Sequence, residues 1–269
     1  MKKTKIIIAV LAIALISAAV ANISKGSAGQ RTSNRLGDDS AKDAVTIGLS
    51  LPLSGPVAFL GEPAKKSAQL ALNDAKAAAL AHGGKGLKYD YKLAFEDDSF
   101  DPTKAATAAS KLINVDHSLA VISFGSGTGN AINAIAEKSK VAQFALASDP
   151  TAAKGEYNYI HWTPASVEGE LLGKELARRG YKKVSFITAN HPGPLAIRDS
   201  VKKALVGTDI QIVTEDVTNL GEKDFRTIIQ KVKKANPDIV VLEMFSPEIE
   251  IAAKQMNEQG VKIPRTSVE

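Results

Sequence analysis

The sequence predicts an α/β protein of two lobes, each with a parallel sheet that carries helices on both faces. From Val45 onward, short runs rich in Val and Ile alternate with longer stretches of helical spacing. Such alternation implies right-handed crossovers between parallel strands. The irregular stretch 147–159 interrupts the alternation and divides the chain into two similar halves. We therefore expect lobe 1 at residues 45–160 and lobe 2 at residues 161–269, with a cleft between them.

In lobe 1, turn and capping signals delimit the elements. Gly83-Gly84 predicts the end of the first helix, and Asp101-Pro102 predicts an N-cap and a first-turn proline for the second. The glycine-rich stretch 125–129 is expected to be a loop. The expected strands are 45–51, 89–96, 119–124 and 141–145, and the expected helices are 63–81, 102–115 and 130–139.

In lobe 2, the alternation continues after a segment expected to be extended at 157–163. The sequence HPGP at 191–194 predicts a turn, and SP at 246–247 predicts a helix start. Gly260 predicts the end of that last helix. The expected strands are 184–188, 211–216 and 239–244, and the expected helices are 167–179, one ending near 205, 224–234 and one ending at 259.

Residues 1–21 have the pattern of a cleavable secretory signal peptide. Three lysines precede an apolar run at 6–20, which closes with an Ala-Val-Ala cleavage pattern. This run is too short and too rich in Ala for a comfortable membrane span, which needs about 20 apolar residues. An uncleaved anchor is the alternative interpretation. Residues 22–44 are polar and aperiodic, which predicts a flexible tail, and we expect the protein to be periplasmic.

The composition excludes several function classes. Residues 1–21 carry three lysines and no acid, so the formal net charge of +5 falls to +2 without them. That balance does not indicate a nucleic-acid partner. With no cysteine in the chain, stability must come from burial alone. The four histidines show no metal spacing or neighbouring nucleophile motif, and we interpret them as surface or turn residues. We expect no metal, no cofactor and no catalysis.

The stretch 125–129 is the first candidate for ligand binding. It follows a strand and precedes a helix, so it offers unpaired N–H groups and a partial positive charge. Ser126 and Thr128 add hydroxyl donors. This combination suits an anion such as a carboxylate. A plain turn is the alternative, and the position after the third strand disfavours a nucleotide-binding turn.

Two later strand ends are further candidates. Residues 147–150 follow the fourth strand and would face the same cleft in a parallel sheet, although an ordinary turn also explains this composition. Glu248 begins the last helix. Its carboxylate either stabilises the helix dipole or pairs with a ligand ammonium, and the residues alone leave both interpretations open. We interpret Trp162, the single tryptophan, as a packing residue between the lobes.

Several short motifs stand in a fixed order and spacing from residue 45 to the end of the chain. They are IG at 47–48 leading to LSGP at 53–56, FEDD at 95–98 with DP at 101–102, the stretch 125–131, GEKDF at 221–225 and PE at 247–248. Together they resemble the periplasmic solute-binding proteins of branched-chain amino acid ABC transporters, the Leu/Ile/Val-binding type. The resemblance implies a type I periplasmic binding protein fold, in which two Rossmann-like lobes close on a small solute.

The resemblance also implies the binding residues. One loop would hold the carboxylate of an amino acid, a second would contact both its carboxylate and its ammonium, and an acid would pair with the ammonium. Leu60 stands where the family often has an aromatic residue, for which Phe59 is a substitute. The implied ligand-binding residues are Ser126, Gly127, Thr128, Leu146, Ala147, Ser148, Glu248, Phe59 and Leu60. Trp162 replaces a family arginine, and a tyrosine expected near 191–194 is absent, so the solute's side chain is not specified.

The function that the resemblance implies is a non-catalytic receptor. It would bind a branched-chain amino acid or a similar small carboxylate and deliver it to the membrane permease of an ABC transporter, as a monomer. A sensor of the same fold that signals to a membrane partner is the alternative, and an exported hydrolase is less favoured. Family members continue beyond the position of Glu269, so we expect a C-terminally truncated chain with an incomplete lobe 1.

Overall fold

The computed structural model describes residues 43–81 and 86–268. The predicted signal peptide, almost all of the predicted tail and the predicted helix end at Gly83-Gly84 lie outside these described residues. Within them, none of the helices has the length and apolar character needed to cross a bilayer. The expected architecture of parallel sheets flanked by helices is present in both halves of the chain.

Lobe 1 is built on a five-stranded parallel sheet with the strand order β2-β1-β3-β4-β5. Its strands are β1 (Ala44–Leu51), β2 (Asp90–Asp97), β3 (Ala120–Phe124), β4 (Ala142–Leu146) and β5 (Asn158–Ile160). Its helices are α1 (Ala58–Ala81), α2 (Pro102–Asn114), α3 (Ser126–Ser139) and a short 3₁₀ helix (Pro150–Ala153). Helices α2 and α3 meet through small side chains, including Ala105, Ala109 and Ala136, which permit close approach.

Lobe 2 is built on a four-stranded parallel sheet with the order β7-β6-β8-β9. Its strands are β6 (Lys183–Ala189), β7 (Gln211–Thr218), β8 (Ile239–Glu243) and β9 (Arg265–Thr266). Its helices are α4 (Ala165–Arg178), α5 (Pro192–Leu205), α6 (Arg226–Ala235) and α7 (Glu248–Glu258). Successive strand residues point to opposite faces. Phe186 packs among α4 and α5, and Ile187 packs among α6 and α7.

Four helices begin earlier than the sequence predicts. Helix α4 starts at Ala165 and not at residue 167, and α5 starts at Pro192, inside the predicted HPGP turn. The shifts are larger for α1 and α3. Helix α1 starts at Ala58 and contains Pro63, which was expected at its start. Two backbone hydrogen bonds between residues three apart start the helix before the proline. The N–H of Leu60 donates to the carbonyl of Val57 at 2.9 Å, and the N–H of Ala58 donates to the carbonyl of Gly55. Helix α3 starts at Ser126, so the expected loop at 125–129 is mostly helical. Burial of residues 126–129 overrides their low helix propensity.

The two faces of the lobe 1 sheet are packed differently. A cavity of about 390 Å³ lies between α1 and the sheet, with Leu49, Leu72 and Phe144 among its walls. On the outer side of α1, Leu70 is 60% exposed and Leu80 is 59% exposed. Lobe 1 is therefore loosely packed on this face.

Candidate functional site

A second cavity of about 390 Å³ lies between the two lobes, at the carboxyl ends of the strands. Phe124 and Leu146, the last residues of β3 and β4, form part of its lobe 1 wall. His191 and Met244, which follow β6 and β8, form part of its lobe 2 wall. In open α/β sheets, ligands bind beyond the carboxyl ends of the strands, so this cavity is the candidate functional site.

Five of the nine residues expected to bind ligand line this cavity, and four do not. Leu60, Ser126, Leu146, Ala147 and Ser148 are lining residues. Phe59 lies on α1 with 45% of its surface exposed, and Gly127 lies against His191. Thr128 is fully buried, and its hydroxyl donates to the carbonyl oxygens of Phe124 at 2.6 Å and Gly125 at 3.0 Å.

Ser126 and Ser148 bring two hydroxyl groups to the lobe 1 wall, and their residues are 3% and 4% exposed. The Ser126 oxygen accepts the backbone N–H of Asp149 at 3.2 Å, which leaves the hydroxyl proton available to a ligand. Gly125, the N-cap of α3, supplies no side-chain acceptor for the N–H groups of the first turn. This wall therefore presents donors and favours an anion.

Phe100 reaches the cavity from the loop after β2 in a left-handed conformation, with a φ of 61°. The buried Asp98 carboxylate fixes this turn, because it accepts the Phe100 N–H at 2.8 Å and the Ser50 hydroxyl at 2.7 Å. Burial raises the pKa of Asp98, and these two hydrogen bonds act against that rise. The Phe100 ring covers Gly125, which has a φ of 100° and where any side chain would collide with the ring.

His191 is the N-cap of α5 and is only 6% exposed. Its Nδ1 accepts the N–H of Gly193 at 3.4 Å, so the neutral ring carries its proton on Nε2. Nε2 has no hydrogen-bond partner among the described residues. Burial lowers the pKa of His191 to about 4, against an opposing effect of the Asp149 charge. The sequence predicts a surface or turn position for this histidine. His191 lies in the bend before α5, but it is not on the surface, because the cleft buries this helix start.

Three rings bridge the lobes at the cavity. Phe100 of lobe 1 stacks on His191 of lobe 2, with centroids 4.6 Å apart and planes at 11°. Phe245, which follows β8, meets Phe100 and His191 nearly edge-on at 5.6 Å and 5.3 Å. Phe124 and Trp162 also line the cavity. The sequence patterns did not identify Phe100, His191 and Phe245 as site residues. Each lies in the loop after a strand, and this position is the sequence feature that indicates a place at the site.

Glu248 lies in the first turn of α7 and is 2% exposed. Its Oε1 accepts the N–H of Gly221 at 2.6 Å, and Oε2 has no hydrogen-bond partner in the part of the chain that the structure describes. Gly221 in turn lies against Pro56 of lobe 1. The acid that lines the cavity is Glu250, whose Oε1 accepts the Ser246 hydroxyl at 2.6 Å.

The acidic residues near the end of β2 accept hydrogen bonds from backbone N–H groups. Asp101 caps α2 by accepting the N–H of Lys104 at 2.9 Å, as predicted. Asp97 accepts the N–H groups of Leu53 and Ser54. Within residues 43–81 and 86–268, no group of three or more acids, histidines or cysteines is arranged to hold a metal ion.

A family model described as periplasmic binding protein matches residues 44–268. The chain belongs to this family. Its proteins bind solutes and are not enzymes, and the match agrees with the resemblance and the fold expected from the sequence.

Known relatives and solved structures are similar to the chain over part of their length. The leucine-, isoleucine-, valine-, threonine- and alanine-binding protein of Pseudomonas aeruginosa is 26% identical over 227 residues, which cover 82% of this chain and 59% of the relative. A Leu/Ile/Val-binding protein homolog of Brucella abortus is 27% identical and is covered to 58%. The chain therefore spans less than two thirds of these relatives.

Two solved structures share the fold. The branched-chain amino acid transporter substrate-binding protein of Streptococcus pneumoniae, in complex with isoleucine, has a TM-score of 0.73 at 23% identity, over 84% of this chain and 64% of that one. A solute-binding protein of an ABC transporter from Rhodopseudomonas palustris, in complex with 3,4-dihydroxybenzoic acid, has a TM-score of 0.69 at 20% identity, over 84% and 61%. Both belong to the same fold as this chain.

Proposed function

We propose that the protein is a periplasmic receptor that captures a small carboxylate solute and delivers it to the membrane permease of an ABC transporter. The observation that carries the proposal is the inter-lobe cavity, where the hydroxyls of Ser126 and Ser148 stand beside the start of α3. Isoleucine and 3,4-dihydroxybenzoic acid, the solutes bound by two structural neighbours, both carry a carboxyl group. A solute that contacts both lobes would favour the closed form over the open form.

A branched-chain amino acid is the first candidate solute, as the names of the relatives suggest. Its carboxylate would meet the donors of lobe 1, and its apolar side chain would meet Leu60 and the ring of Phe245. Its ammonium needs an acid. The resemblance implies Glu248 for this role, and Glu250 is the acid among the lining residues.

An aromatic carboxylate is the second candidate. Four aromatic side chains, Phe100, Phe124, Trp162 and Phe245, line the cavity. Rings of this kind favour flat ligands through stacked and edge-to-face contacts. Such a solute has no ammonium group and needs no acid to pair with it. The absence of Glu248 from the lining residues is therefore consistent with this candidate.

Titration calorimetry with leucine, isoleucine, valine, 4-hydroxybenzoate and 3,4-dihydroxybenzoate tests the proposal. We expect at least one solute to bind, and Ser126→Ala and Ser148→Ala each to weaken it by about 10-fold or more, because a hydrogen bond to a charged group is lost. Ser110→Ala is the matched control, since its hydroxyl bonds within α2. An absence of binding heat for the whole panel, with circular dichroism showing a folded protein, would refute the solute class.

Glu248→Gln and Glu250→Gln separate the two candidate solutes. If an amino acid binds, we expect one of the two variants to weaken it strongly, because its ammonium loses a charged partner. Binding of the benzoates should be unchanged or stronger in both variants. An amino acid that binds equally well to both variants would remove both acids from the ammonium site.

A further inference from the structure

We propose that His191 is a hydrogen-bond donor to the solute, through which lobe 2 holds the same carboxylate that lobe 1 holds. The inference rests on the proposed function and names the lobe 2 residue that recognises the anion. In the sequence, His191 differs from the other three histidines only because it follows a predicted strand and opens the HPGP turn. Its assignment comes from the geometry of the cleft.

His191 lies close to the donor wall of lobe 1. A Cβ placed on Gly127 would lie 3.1 Å from His191 Nε2, so this nitrogen lies over the first turn of α3. A Cβ placed on Gly193 would lie 3.1 Å from the hydroxyls of both Ser126 and Ser148. The turn at the start of α5 and the donor wall of lobe 1 therefore border the same small space.

The distal nitrogen of His191 has a hydrogen-bond donor that no described residue uses. Because Nδ1 already accepts the Gly193 N–H, the proton of the neutral ring is on Nε2. This N–H is buried and unpartnered among the described residues, which is unusual for a polar group inside a protein. A carboxylate oxygen in the cavity would satisfy it together with the serine hydroxyls.

Within the described residues, the cavity lining offers an anion no cationic side chain. The lining residues of the cavity, all in the described part of the chain, include no lysine or arginine. The charged residue among them is Glu250, whose carboxylate has the same sign as the anion. An anion must therefore be held by neutral donors and by the partial charges of helix starts. His191 adds one such donor from lobe 2, where the helix start of α5 also lies.

The orientation of the His191 ring is fixed by its neighbours. Phe100 stacks on one face of the imidazole, and Phe245 meets the ring edge-on. These contacts fix the plane of the ring, and the bond from Gly193 fixes its tautomer. The direction of the Nε2–H is thus set before a solute arrives, which lowers the cost of binding.

Three variants separate the donor from the structural roles of the residue. His191→Phe keeps the ring contacts and removes both nitrogens. His191→Asn keeps an acceptor for the helix cap and removes the ring and the distal donor. His191→Gln places an amide N–H near the position of Nε2. The fluorescence of Trp162, the only tryptophan and a lining residue, reports binding, and circular dichroism confirms folding.

The probes are acid and alcohol pairs, leucine with leucinol and 4-hydroxybenzoate with 4-hydroxybenzyl alcohol. We expect His191→Phe and His191→Asn to weaken the acid by about 10-fold or more while changing the alcohol little, as the loss of a hydrogen bond to a charged group predicts. His191→Gln should keep most of the affinity for the acid.

Two results would overturn the inference and leave the proposed function intact. One is wild-type affinity for the acid in both His191→Phe and His191→Asn. The other is an equal loss of affinity for acid and alcohol, which would show that the ring packs against the solute and does not donate a hydrogen bond to its carboxylate. If the wild type binds no acid of the calorimetric panel, the proposed function fails, and the role of His191 fails with it.

Discussion

At the scale of single residues, the burial of His191 couples the stability of the fold to pH. The pKa of this imidazole is about 4 in the folded chain and about 6.5 when unfolded. Below pH 6.5 the unfolded chain therefore binds a proton that the folded chain does not. We expect this residue to reduce stability progressively from pH 6.5 to pH 4, by up to about 3 kcal/mol.

Urea unfolding of the wild type and of His191→Phe at pH 7.5, 6, 5 and 4 measures this effect. The difference in unfolding free energy between the two proteins isolates His191 from the carboxylates that titrate in the same range. As the pH falls, the unfolding free energy of His191→Phe should rise relative to that of the wild type. A pH-independent difference would mean that the pKa of His191 is the same in the folded and the unfolded chain.

Gly125 has both a positive φ angle and a close contact with a neighbouring ring, whereas Gly180 has only the positive φ angle. Both Gly125 and Gly180 have left-handed φ angles, of 100° and 77°, but only at Gly125 would a methyl group collide, with the Phe100 ring. We expect Gly125→Ala to cost about 1–3 kcal/mol more than Gly180→Ala, because overpacking adds to backbone strain. Thermal melting of both variants measures the difference. Equal losses would show that the ring moves aside without cost.

At the scale of elements, we expect a larger apolar side chain on α1 to fill the cavity under this helix and to stabilise the fold. Ala71 is half-buried and lines that cavity, while Ala78 on the same helix is exposed. Because both substitutions change helix propensity equally, Ala71→Leu should raise the unfolding free energy by about 0.5–2 kcal/mol over Ala78→Leu. Denaturant titration checks this. A destabilised Ala71→Leu variant would indicate that the space is already closed in solution.

Element types were predictable from sequence, and the start of α3 shows where prediction fails. Alternation of apolar runs with helical stretches predicted β1 to β8 and α1 to α7 in order, but not the short 3₁₀ helix or the two-residue β9. Asp101-Pro102 predicted the start of α2. Glycine and serine at 125–129 have low helix propensity, so the sequence favoured a loop there. Burial against other elements outweighs that preference, and such packing is not visible in a local window.

The site was predictable only in part, for a similar reason. Ser126 and Ser148 follow strand ends, and the rule for parallel sheets places strand ends at a common edge. The contact of Phe100 with His191 joins two lobes through residues far apart in the chain. No periodicity or spacing encodes such a contact. Glu248 shows the converse, because a position at a strand end did not bring its side chain into the cavity lining.

At the scale of the whole molecule, the ring cluster should favour the closed form even without a solute. Phe100 is the lobe 1 member of that cluster. Phe100→Ala removes its contacts with both lobe 2 rings, so we expect more of the open form and a larger radius of gyration in small-angle X-ray scattering. Leu70→Ala, at an exposed position on α1, is the control. An unchanged radius for Phe100→Ala would show that other contacts hold the lobes.

The most direct test of the account is a crystal structure of the protein with the tightest-binding solute of the calorimetric panel. We predict the carboxylate between the lobes, with its oxygens within hydrogen-bond distance of the Ser126 and Ser148 hydroxyls at the start of α3. A solute seated in the cavity under α1, or one in the cleft with its carboxylate turned away from both serines, would contradict the account.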